Sequence, residues 1–208
     1  MDFYRQLRRQ SNPIWKRMNN IKKHRVNIDL NRMLFRRQFI IGPQSFRPNK
    51  FWQSIPIKHK LFLSIHCDLP VTVQEQDEKL IAIIGIAINP LYPKDSEKEI
   101  LTRLFEGCDD LHSLLEEVVP LSGRWVILYQ DCDSTYLFTD PCGFRQVFYA
   151  SDDVTVWCAS QPELIRQKLE LRFENDPDLL DFISRPDYPA KESPWFGNQT
   201  IYQGCLHL

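Results

Sequence analysis

Hydrophobic periodicity switches three times along this chain, from strand to helix, back to strand and again to helix, and that order limits the folds open to it. Short apolar runs at 39–41, 61–65, 71–73 and 79–89 are separated by turn residues such as Gly42 and Pro43 and read as strands. The three from 61 to 89 are predicted to form one β-meander. Asp95 or Ser96 is placed to cap a helix that carries Ile100, Leu101, Leu104 and Phe105 on one face, with Gly107 past its end. Leu111, Leu114, Leu115 and Val118 repeat the helical stripe before Pro120 stops it.

Beyond Gly123 the strand period returns at 125–129, 135–138, 147–149 and 155–159, and these four are predicted to make a second antiparallel sheet. Pro162 and Pro177 sit in the first turns of two further helices, 163–169 and 178–183. The pattern is that of an α+β chain in which two antiparallel sheets stack and helices cover both outer faces. Trp125 and Phe148 are predicted to lie inside that sandwich.

The chain of 208 residues is 43% hydrophobic and 12% aromatic, enough for one domain to bury a core. Its longest apolar run, 80–88, is far short of the roughly 18 to 20 residues that span a bilayer, and the polar, basic N-terminus has no secretory h-region. No transmembrane segment and a cytoplasmic location are expected. The six cysteines form no C-x-x-C pair and no zinc-finger spacing, so packing thiols without a metal are expected. His66 and Asp68, at strand spacing, read more simply as a structural hydrogen-bonding pair than as half a metal site.

The net charge of −1 hides a strong polarity. Residues 1–50 hold 13 Lys/Arg against Asp2 and Asp29, while the remainder holds 13 against 25 acids. Residues 1–37 are read as a basic arm ahead of a domain at 38–208. Such an arm could engage an anionic partner, nucleic acid or membrane, with Trp15 beside Lys16 and Arg17 to stack or anchor; or it packs against its own acidic body.

Several strings carry a family resemblance. The run from Leu121 through Gly123 and Trp125 to Asp131 resembles the L-x-G-x-F-A-F-A-x-Y-D strand of asparagine synthetase, and Asp140, Gly143 and Tyr149 fall as in its R-D-x-x-G-x-x-P-L-Y-Y segment. Ala159-Ser160-Gln161 looks like its A-S-E, and Asp95, Glu97, Ile100 and Leu101 like its S-D-x-E-x-I-L helix. Ile84-Gly85-Ile86 stands where the family has N-G-E, and His66-Cys67-Asp68-Leu69 where it has H-E-R-L. The tail from Gly197 to Tyr202 resembles the G-x-T-x-Y segment ahead of the synthetase domain. The strings are collinear over residues 38–170. They identify the chain as similar to the class II glutamine amidotransferase domain of asparagine-synthetase-like proteins, lasso-peptide cyclases included. The resemblance implies a four-layer αββα, Ntn-hydrolase-like fold.

The resemblance also implies which positions would perform glutamine hydrolysis, and each is degenerate. The family's nucleophile is an N-terminal cysteine whose free amine is the base; here Gln38 stands there, with 37 residues ahead of it. Ile84 replaces the asparagine of the oxyanion hole, leaving Gly85 alone as donor. Ile86 replaces the acid that binds the substrate amine, Ser122 the second such acid, and Asp68 the arginine that binds the substrate carboxylate, which a carboxylate would repel. No catalytic residue, cofactor or metal is therefore expected, and no P-loop or pyrophosphate loop occurs. The expected role is a noncatalytic scaffold or partner for an asparagine-synthetase-like, ATP-dependent, amide-forming enzyme, since the chain ends where the family's linker would lead into the synthetase half. Two alternatives stay open: an anion- or nucleic-acid-binding module using the arm, and a hydrolase activated by cleavage, with Ser45 or Cys67 as its nucleophile.

Overall fold

A computed structural model of the chain describes residues 29–151, 155–170, 202–203 and 206–207. The described elements run α1 (Leu30–Met33), β1 (Phe39–Gly42), β2 (Trp52–Ile57), β3 (Leu61–His66), β4 (Val71–Gln76), β5 (Lys79–Ile88), α2 (Glu97–Gly107), α3 (Leu111–Val118), β6 (Ser122–Gln130), β7 (Thr135–Thr139), β8 (Phe148–Ser151), β9 (Val156–Ala159), α4 (Pro162–Lys168), β10 (Tyr202–Gln203) and β11 (Leu206–His207). The expected helix at 178–183, and the basic arm before residue 29, lie outside the described residues.

Two antiparallel sheets form. One has the order β10-β8-β9-β1-β3-β2 and the other β11-β7-β6-β5-β4. The core between them takes alternate residues from each sheet: Phe39, Ile41, Leu63 and Ile65 from one, Ala82, Ile84, Val126 and Leu128 from the other. On the outer face of the second sheet, Ile81, Ile83, Trp125, Ile127 and Tyr129 pack under α2 and α3. On the outer face of the first, Ile40, Trp157 and Ala159 pack under Leu164 and Ile165 of α4. The layering is αββα, as the resemblance implies.

Three expectations need correction. Residues 61–89 are not one meander, because β3 pairs with β1 and β2 while β4 and β5 form a hairpin in the other sheet. Nor do the four later strands share a sheet: β6 and β7 join β5, while β8 and β9 join β1. The described strands pass between the sheets three times, after His66, after Thr139 and after Gln203. Strands buried on both faces read as continuous apolar runs, so their periodicity cannot tell which sheet they enter. Finally, Trp125 is buried but lies under the helices, not between the sheets, and Phe148 is half-buried beside α4.

Local chemistry sets the helix starts as read, though Gly107 is the last residue of α2, with Cys108 as its cap, and not the residue past its end. Ser96 accepts from Glu99 N and the Glu99 carboxylate accepts from Ser96 N, a reciprocal capping box, so Asp95 is freed to hold Arg103 at 2.8 Å. Leu114 and Val118 are buried as the stripe predicts, whereas Leu115 is 42% exposed. The edge strand β2 escaped sequence reading because Pro56 and its polar residues break the pattern; proline is tolerated at a sheet edge, where no partner needs its missing N–H.

Candidate functional site

The first two crossings, after His66 and after Thr139, lie at the end of the sandwich where β1 begins. Gln38, just ahead of β1, is held on both sides. Its amide donates to Phe35 O at 3.3 Å, its carbonyl accepts from His66 N at 3.0 Å, and its side chain donates to Arg36 O at 3.3 Å. Asp68, in the first crossing, accepts from Arg32 Nη2 at 2.7 Å and from Arg36 Nε at 2.7 Å. Those hydrogen bonds, Arg32's first, hold its carboxyl well below the usual carboxylate range. The segment 29–37 thus lies against the body, with Phe35 buried beside Ile40 and Trp52. The carboxylate expected to repel an incoming carboxylate is instead neutralised by two guanidinium groups of its own chain.

The neighbouring positions divide. Ile84 is buried between the sheets. Gly85 has φ +118, and its N–H donates to Pro70 O at 2.9 Å. A Cβ there would stand 2.3 Å from Arg124 O, which is why glycine is needed. Ile86 is 49% exposed, and Ser122 opens β6 with its hydroxyl 3.5 Å from Ile88 O. In the β5–β6 ladder Gly85 faces Trp125 while Ser122 faces Ile88, so the fold brings Gln38, Asp68 and Gly85 to one end and leaves Ser122 further along.

His66, Cys67 and Asp68 place ligand atoms within 4.8 Å of one another. All the stronger donors among them are engaged. His66 Nδ1 accepts from Asp68 N at 3.0 Å, so Nε2 carries the proton and donates to Arg32 O at 2.9 Å. Among the five described cysteines, Cys108 and Cys158 are buried packing thiols, while Cys67, Cys132 and Cys142 are exposed.

Sequence reading missed Arg145. The turn that carries it is organised by Asp140, whose Oδ1 accepts from Cys142 N and Phe144 N and whose Oδ2 accepts from Arg145 N at 3.0 Å. The Arg145 guanidinium is carried inward to 8% exposure and donates from Nη1 to Arg37 O at 3.2 Å; its Nε has no partner. Burial first, then Arg124, pushes its pKa down to about 10, with Asp140 opposing. It lines a cavity of about 390 Å³ together with Gln38, Arg124, Ser160 and Gln161. The signal available in sequence was one arginine in a turn between apolar strands, and only burial distinguishes it from other surface arginines.

No protein-family model matches the chain, and no curated protein matches it. Among solved structures the chain is similar to a glutamine phosphoribosylpyrophosphate amidotransferase from B. subtilis, complexed with ADP and GMP, with 12% identity and a TM-score of 0.37. The match covers 52% of this chain and 29% of that one, so the chain spans less than a third of that protein. A likeness of that strength assigns neither substrate nor partner. Among the described residues no helix is long and apolar enough to cross a membrane.

Proposed function

We propose that the chain is a noncatalytic glutamine amidotransferase-like domain that serves as a scaffold or docking partner for an asparagine-synthetase-like, amide-forming enzyme. The observation that carries this reading is the setting of Gln38. An N-terminal nucleophile must begin the chain and present a free amine, whereas Gln38 has an amide N–H spent on Phe35 O and a preceding segment tied to Asp68. The remaining oxyanion donor, Gly85 N–H, is spent on Pro70 O. With no nucleophile, no free donor and no substrate-carboxylate arginine, the domain retains the layers of the family and not its chemistry. The test is an ammonia-coupled glutaminase assay with calorimetry on the intact protein. No ammonia release and glutamine binding no tighter than about millimolar are expected. Turnover, or micromolar glutamine affinity, would sink the reading.

A further inference from the structure

Arg145 presents a buried positive charge that forms no ion pair among the described residues. Asp140 acts on it only from outside the cavity lining, its oxygens held by three backbone N–H groups, and Glu163, which lines the cavity, is gripped by Arg166 at 2.7 and 2.6 Å and by Gln167 at 3.0 Å. The other charged groups nearby, Arg124 and Arg37, are both cations. A guanidinium taken from water without a carboxylate or full hydrogen bonding is costly, so a fold that keeps one oriented into a cavity leaves a strong unmet demand for an anion. Gly85 helps make the space: a Cβ there would stand 2.9 Å from Arg145 Nε.

We propose that this cavity binds a small oxyanion, a carboxylate or phosphate group, with Arg145 as the buried anchor and Arg124 as the second charge at the mouth. The guanidinium that lines the cavity has the planar, forked donor geometry that such groups accept side-on. Half-buried Phe148 and neighbouring Pro162 supply apolar wall for the remainder of the ligand. Of Gln38, Asp68, Ile84, Gly85, Ile86 and Ser122, Gln38 lines the cavity and Gly85 lies against Arg145, but the charges that would hold the anion, Arg145 and Arg124, are none of these. The site therefore stands whether or not the domain docks onto an enzyme.

The test titrates the full chain by calorimetry with inorganic phosphate and, separately, with benzoate, at ionic strength held constant with sodium chloride. Saturable binding of at least one probe is expected, and whichever binds more tightly names the oxyanion. Arg124→Gln, at an exposed position, should weaken that binding about tenfold without altering the fold, because a charge-assisted contact is lost. Arg145→Lys, checked for native circular dichroism, should weaken it at least as much, since an ammonium lacks the planar pair of donors. Heats that follow ionic strength alone, or unchanged affinity in Arg124→Gln, would overturn the proposal.

Discussion

Arg36 Nε and Asp68 Oδ2 stand 2.7 Å apart, which ties the chain ahead of β1 to the corner between β3 and β4. Arg32 closes on the other carboxylate oxygen at 2.7 Å, so one aspartate holds two turns of the same segment. Asp68→Asn should release residues 29–37, read as faster amide exchange confined to that segment, with the body unchanged. Exchange as slow as in the parent would mean that Phe35 alone secures it.

The same pair makes a pH prediction with a definite sign. The folded-state pKa of Asp68 lies below the ordinary value of 3.8, so its contribution to stability is whole above that value and is lost as pH falls through the folded-state one. Acid unfolding of the parent and of Asp68→Asn should therefore converge at low pH and differ near neutrality. High salt should narrow the difference, because both arginines are about half exposed.

Trp125 is 1% exposed and meets Phe138 edge-to-face at 6.5 Å between ring centres. Trp125→Ala should cost about 3 to 5 kcal/mol by denaturant unfolding. Its indole N–H is buried without a partner, so Trp125→Phe should cost distinctly less, since it removes an unmet donor along with some volume. Phe148→Ala, at a half-buried position, should cost only about 1 to 2 kcal/mol.

Gly85 and Gly143 both have positive φ, at +118 and +63, but differ in their surroundings. A Cβ at Gly85 would strike the Arg124 carbonyl, whereas one at Gly143 would meet nothing within 4 Å. Gly143→Ala should therefore cost about 1 to 2 kcal/mol, the left-handed backbone penalty alone, and Gly85→Ala clearly more. Equal losses in thermal unfolding would show that β5 and β6 part easily at that rung.

Cutting the chain so that it begins with a cysteine replacing Gln38 should restore no glutaminase activity. It supplies thiol and amine, yet Ile84 remains an apolar residue facing the inter-sheet core and Gly85 N–H remains on Pro70 O. Losing one oxyanion donor typically costs about 10²- to 10³-fold in rate, and here neither donor is free. Measurable ammonia release by the trimmed protein would place the oxyanion site elsewhere.

Local patterns determined most of the elements. The Ser96–Glu99 box, the apolar stripe from Ile100 to Phe105 and the stop at Pro120 act within a few residues, so α2 and α3 were legible. Which sheet each strand joins was not, since runs such as Leu80 to Ile84 are buried on both faces and carry no alternation to orient them. The tertiary structure alone decided that Trp125 lies under helices and Val126 between sheets, and that Asp68 belongs to Arg32 and Arg36. It also turned Arg145 from a turn residue into a buried cation without an ion pair among the described residues. Charge balance and burial are properties of neighbours brought together across 32 to 108 positions of chain, and no local sequence pattern encodes those distances.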